Sequence, residues 1–292
     1  MLVIETQQLA KRYGSIRALD GIDLHVPAGS IYGFLGPNGA GKTTAMRILV
    51  GLLRPSAGRA SVLGMDAIRE STTIRKRVGY LSGDVRLYEW MTGRRLLAFV
   101  DAARGGGSQQ EAERLRAQFE LNLDRRIRDY SRGMKQKLGL IAALMHRPEL
   151  LILDEPTTAL DPLVQQTLYD ELRAAADQGR TVLFSSHTLS EVELLCDRVA
   201  IIRTGKIIED DHIETLRERA VRRVSFRLRT GSAADLQFPE SCILQSTQDG
   251  VASLSWTGEI QPLLRWMAGM DLQDASIGPP DLEDLFTAYY RT

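Results

Sequence analysis

The stretch IYGFLGPNGAGKTTAMRILVGLL, Ile31 to Leu53, constrains the fold of this chain more than any other. Five residues read as a short buried strand, a glycine-rich loop follows, and Met46, Ile48, Leu49 and Leu52 then recur at helical spacing. Within it Gly36-x-x-x-x-Gly41-Lys42-Thr43 has the spacing of a phosphate-binding loop, in the strand–loop–helix context such a match requires. Gly36, Gly39 and Gly41 let the backbone curl until several N–H groups converge on an anion. The expected cradle runs Gly36, Pro37, Asn38, Gly39, Ala40, Gly41, Lys42, Thr43, Thr44. Lys42 places a charge on the β- and γ-phosphates of a nucleotide, and the Thr43 hydroxyl suits Mg²⁺. A phosphate loop alone also serves small-molecule kinases, so the rest of the chain must decide.

Two further strand ends supply chemistry. In ELLILDEPTTALD the apolar run Leu150–Leu153 reads as a buried parallel strand that ends in Asp154-Glu155. Carboxylates at the carboxyl end of such a strand lie where ligands bind in open α/β sheets. Asp154 is therefore the expected Mg²⁺ carboxylate and Glu155 the residue that polarises a water. Thr181–Ser186 reads as another core strand, and His187 at its end is placed to meet a γ-phosphate. His25, His146 and His212 have no such setting and receive no role. A third element, YSRGMKQKLG at 130–139, offers a capping serine and a glycine where a helix begins. The hydroxyl, the glycine N–H and the helix dipole all favour an anion there.

In this order and combination the elements resemble the ATPase subunit of an ABC transporter, over residues 2 to about 215. The resemblance implies ATP and Mg²⁺ as cofactors, hydrolysis as the reaction, and a homodimer that sandwiches two ATP molecules. It implies that Ser131 and Gly133 reach the γ-phosphate held by the partner copy, that Asp161 crosses the dimer interface, and that Tyr13 in KRYGSIRAL stacks on adenine. It also implies a separate integral-membrane permease and a peripheral place on the cytoplasmic face of the membrane. Arg132 and Met134 stand where the family usually has glycine and glutamine, a form that looks like the branch exporting drugs or other hydrophobic compounds. The largest departure is Gly83, where the family normally has a glutamine touching metal and water; Asp84 is the expected substitute oxygen ligand.

The expected fold is α/β: a P-loop ATPase core with an antiparallel β subdomain from residues 2–30, a helical subdomain at about 85–147, and a small C-terminal α+β domain at 220–292. The core domain is expected to span 1–215, with a helix from Leu163 to about Asp177 turning Leu163, Val164, Leu168, Leu172 and Ala175 onto one sheet face. In the C-terminal part, Val224, Phe226 and Leu228 alternate with arginines, two more short strands and a helix follow, and a last helix capped by Asp281 carries Phe286, Tyr289 and Tyr290. This part resembles the extension found on drug-exporter ATPase subunits; a dimer clamp, a regulatory ligand site and a stabilising appendage remain open for it. Lys+Arg and Asp+Glu both number 37, so no basic field calls for nucleic acid. Two cysteines, Cys196 and Cys242, form no ligand cluster. The opening MLVIETQQLAKRYG lacks a signal-peptide pattern, and no apolar run approaches a bilayer span. A soluble ABC ATPase acting on ribosomes or nucleic acid is the alternative; a single cassette with a short insert between the phosphate loop and Ser131 disfavours it.

Overall fold

The computed structural model describes residues 1–230, 236–248 and 250–281. The chain divides into two compact units, Met1–Asp210 and Asp211–Thr292.

The first unit opens with β1 (Leu2–Tyr13), β2 (Ile16–Ile22) and β3 (His25–Pro27), and β1 pairs antiparallel with both others. Then come β4 (Ile31–Leu35), buried at all its positions, and α1 (Lys42–Leu49). The hairpin β5 (Ala57–Val62) and β6 (Met65–Asp66) returns to pair with β1, so the antiparallel sheet runs β2-β1-β5-β6 with β3 attached to β1. Alternation in residues 2–30 anticipates its first three strands; β5 and β6 come from beyond α1.

The middle of the chain is helical: α2 (Ser71–Arg77), β7 (Val78–Leu81), α3 (Gly93–Ala103), α4 (Gln109–Gln118) and α5 (Arg132–Leu144). Thr92 and Ser131 cap α3 and α5 by accepting from the amides of Arg95 and Met134. His146, just after α5, is kept neutral by burial and by nearby Arg104, which lower its pKa to about 4. That is the behaviour of a packing residue.

After α5, strands and helices alternate: β8 (Leu150–Asp154), α6 (Pro162–Asp177), β9 (Thr181–Ser186), α7 (Leu189–Leu195), β10 (Arg198–Arg203) and β11 (Lys206–His212). The second sheet has the order β11-β10-β4-β9-β8-β7, with parallel pairing from β10 through β7. One core joins the two sheets through α1. Met46, Ile48 and Leu49 pack with Ile4, Leu9 and Val62 of the antiparallel sheet and with Phe34, Ile152 and Leu183 of the parallel one. Each such fully buried side chain contributes about 1.5–3 kcal/mol, and together they fix the start of α1 against the strand ends. The stripe expected on α6 is shifted: Leu168, Tyr169, Leu172 and Ala175 are buried, whereas Leu163 is 83% exposed. Leu163 lies in the first turn, at the sheet's carboxyl edge, before the helix reaches the sheet face.

The second unit contains α8 (Ile213–Arg219), β12 (Val221–Leu228), β13 (Cys242–Gln248), β14 (Val251–Trp256), α9 (Ile260–Ala268) and β15 (Leu272–Asp281). Its antiparallel sheet has the order β13-β14-β12-β15. Val224, Phe226, Leu254 and Trp256 pack on Leu263 and Met267 of α9, while Arg223 and Arg227 lie on the exposed positions of β12. The sequence predicts that a helix begins after Pro279-Pro280 with Asp281 as its cap; instead β15 continues through both prolines to Asp281. Proline lacks a ladder donor and is tolerated because β15 is an edge strand. The helix expected to carry Phe286, Tyr289 and Tyr290 lies outside the described residues.

Candidate functional site

The site forms where β4, β8 and β9 end side by side. In register, Leu35 pairs with Ser186 and Asp154 with Ser185, so the loop after β4, the acidic pair and His187 emerge at one edge. Gly41 caps α1 without any side-chain hydrogen bond, which leaves the first-turn N–H groups for an external acceptor. A cavity of about 170 Å³ there is lined by Ala18, by the loop from Pro37 to Thr44, including Asn38, Gly39 and Ala40, and by Glu155.

Lys42 is buried and donates to the carbonyls of Gly36 and Pro37, the latter at 3.3 Å. Its Nζ lies 3.1 Å from Glu155 Oε1. The other carboxylate oxygen of Glu155 meets His187 Nδ1 at 2.7 Å. Glu155 thus spans the lysine of the loop and the histidine of the next strand. It does so from a left-handed backbone, φ 50°, rare for a residue with a Cβ and frequent at active sites.

Thr43 Oγ1 donates to Asp154 Oδ2 at 2.7 Å, and Asp154 is fully buried. One hydroxyl and one carboxylate at a phosphate loop fit Mg²⁺, which takes few protein ligands and completes its shell with phosphate oxygens and water. Among the described residues no group of three or more His, Cys, Asp and Glu side chains is arranged to hold a metal by itself.

Asp84 does not join this pair. Its side chain is 61% exposed and its carboxylate is held by Arg86 Nε at 2.7 Å. Gly83 does approach: its backbone N–H points at Asp154 Oδ2 from 3.4 Å, and a Cβ at position 83 would stand 3.1 Å from that oxygen. Here a main-chain amide, not a side chain, faces the Asp154 carboxylate. Asp84→Ala is accordingly expected to leave ATP turnover and its Mg²⁺ dependence within about two-fold of the parent, because an exposed ion pair contributes little. A larger fall in steady-state phosphate release would return Asp84 to the site.

Tyr13, Ser131, Gly133 and Asp161 do not line the cavity. Tyr13 ends β1 as an exposed residue, 47% accessible, with the Lys11 ammonium 5.2 Å from its ring centroid. Ser131 Oγ accepts from Met134 at 3.2 Å and Asp161 Oδ1 from Val164 at 3.0 Å; both are exposed helix caps. Gly133 sits so near the Ala159 carbonyl that a Cβ would be 2.7 Å away. The start of α5 is therefore seated against the segment that follows Glu155. A second link has no mark in the linear pattern: buried Gln136 donates to the Pro156 carbonyl at 2.8 Å. Ser185, fully buried near the end of β9, donates to Asp154 Oδ1 at 2.7 Å, a contact that the linear pattern does not mark.

Residues 19–158 match the family described as ABC transporter. The chain is 36% identical over 290 residues to the daunorubicin resistance ATP-binding protein DrrA3 of Streptomyces coeruleorubidus, spanning 94% of this chain and 92% of that one. It is 38% identical over 235 residues to the bacitracin transport ATP-binding protein BcrA of Enterococcus faecalis, spanning 80% and 76%. The solved structure of an ATP-binding subunit of an ABC transporter superposes with a TM-score of 0.67 at 30% identity, over 74% of this chain and 92% of that one. The ATP-binding cassette MJ0796, solved as a dimer bound to ADP and phosphate, shares the fold with a TM-score of 0.67 at 20% identity, over 72% and 98%.

Proposed function

The chain belongs to the ATP-binding subunits of ABC transporters, an ATPase family, and we propose that it powers export of a drug-like or hydrophobic compound through a separate membrane permease. Two copies close head to tail on two ATP molecules. The observation that carries this reading is the separation of two anion-seeking helix starts. Gly41 opens α1 at the phosphate loop, whereas Ser131 opens α5 away from that cavity. A second copy brings the α5 start of one chain to the phosphate of the other. Exposed Leu163 and Asp161, on the same stretch as Ala159, belong to the surface that closes.

Each residue has a task in hydrolysis. The loop amides of 36–44 and Lys42 hold the β- and γ-phosphates and offset charge on the leaving phosphate. Thr43 and Asp154 hold Mg²⁺, which neutralises phosphate charge when bound. Glu155 accepts the proton of the attacking water, and His187 fixes that carboxylate while reaching the γ-phosphate. Tyr13 stacks on adenine. Domain limits of 1–215 and 220–292, with a helical subdomain at about 85–147, are part of the proposal. Among the described residues no helix is long and apolar enough to cross a membrane, and a peripheral position on the cytoplasmic face follows from the permease partnership. The relatives named for daunorubicin resistance and bacitracin transport support the cargo class.

Sedimentation tests the assembly. The Glu155→Gln chain is expected to be a monomer without nucleotide and a dimer with saturating ATP. Adding Ser131→Asp, which keeps a capping oxygen on the exposed start of α5 and sets a carboxylate against the partner's phosphate, is expected to return it to monomer. A chain that stays single at high concentration with ATP would overturn the dimer reading.

A further inference from the structure

We propose that Ser185 is a positioning residue of the ATPase centre, its one hydroxyl fixing both which Asp154 oxygen meets the metal and the backbone twist that aims Glu155. The proposal rests on the roles given above to Asp154 and Glu155. Ser185 is fully buried near the end of β9, and the parallel register sets it abreast of Asp154. Its Oγ donates to Asp154 Oδ1 at 2.7 Å and accepts from the Glu155 N–H at 2.9 Å.

Each contact has a consequence. With Oδ1 engaged, the carboxylate presents Oδ2 to the Thr43 hydroxyl at 2.7 Å and to the Gly83 amide at 3.4 Å. A carboxylate anchored by one oxygen cannot swing about its terminal torsion, so the metal-facing lone pairs are fixed before a cation arrives. The second contact holds the amide at the point where the chain leaves β8 and turns to the left-handed φ of 50°. That turn directs Glu155 to Lys42 at 3.1 Å and to His187 at 2.7 Å. A valine or alanine would complete the apolar strand equally well. Serine is explained by the two polar groups it serves, each of which is costly to leave unpaired in a buried place.

The test uses the full chain and a fluorescent ATP analogue. Ser185→Ala is expected to bind the analogue in EDTA within about two-fold of the parent, because Lys42 and the loop amides are untouched. Its Mg²⁺ requirement, read from binding titrated with the metal, is expected to rise about 10–100-fold, the usual effect of removing a partner that orients a metal ligand, and turnover to fall by a similar factor. Ser185→Thr keeps the hydroxyl and is expected to regain most of both. Ser185→Cys keeps the volume without a strong hydrogen bond and is expected to behave like alanine even if the alanine chain is unstable. A purely structural serine would lower the melting temperature while leaving the Mg²⁺ midpoint in place, and that result overturns the proposal. Asp154→Asn is run beside these variants. An unchanged Mg²⁺ midpoint there overturns the underlying assignment of the metal carboxylate instead.

Discussion

Glu155→Gln is expected to lower ATP turnover by about 10³-fold, within the range for loss of a general base, while ATP binds at least as tightly as to the parent. The Glu155 carboxylate stands between two cationic or hydrogen-bonding partners. One oxygen lies 3.1 Å from the Lys42 ammonium and the other 2.7 Å from His187 Nδ1. An amide fills the same volume and keeps one acceptor oxygen, so the loop and the strand ends stay in place. It cannot take a proton from water. It also removes a negative charge beside the site of the γ-phosphate, which relieves a like-charge repulsion in the bound state. Phosphate release under steady state and equilibrium binding of ATP measure the two effects separately. Hydrolysis within ten-fold of the parent would refute the role of Glu155. Weakened binding would mean that the carboxylate holds Lys42 in its working place.

The residues of this centre were unequally legible. Lys42, Thr43, Asp154, Glu155 and His187 could be named because each lies at the end of a buried apolar strand, just after one, or at the helix start that follows its loop. That position is visible in a linear pattern. Ser185 carries no such mark. Its partner is set by the register of β9 on β8, two strands separated in sequence by α6, and alternation cannot report which strand lies beside which. Gln136 has the same character, since its carbonyl acceptor at Pro156 comes from another element. Asp84 failed for a complementary reason. Composition shows that an oxygen is nearby in sequence, but not that Arg86 holds it toward solvent while the amide of Gly83 turns inward. The antiparallel sheet was half legible, because β5 and β6 join β1 only after the chain has passed through α1. Helical periodicity located α6 but placed Leu163 on the wrong side, as its first turn projects beyond the sheet.

Gly41→Ala is expected to damage binding and folding together, and Gly39→Ala to separate the two causes. Gly41 has φ 113°, outside what an alanine readily adopts, and a Cβ there would lie 2.5 Å from the Ala18 carbonyl and 2.8 Å from Leu19 Cδ2. Ala18 and Leu19 belong to β2, and Leu19 is fully buried, so neither can step aside without moving the antiparallel sheet. The backbone strain alone costs about 1–3 kcal/mol. The collision shifts the first turn of α1, whose N–H groups must converge on phosphate. Losing two hydrogen bonds to a charged acceptor, at about 1.5–3 kcal/mol each, weakens nucleotide binding by about 100-fold or more. Gly39 also has a positive φ, 83°, but a Cβ there meets nothing within 4 Å. Alanine at 39 therefore carries the strain without the collision and is expected to lower the melting temperature with a much smaller loss of binding. Calorimetric titration of nucleotide and thermal melting of the two variants read out the difference. If Gly41→Ala binds ATP as the parent does, the phosphates are not gripped by the start of α1, and the site has to be sought elsewhere on the sheet edge.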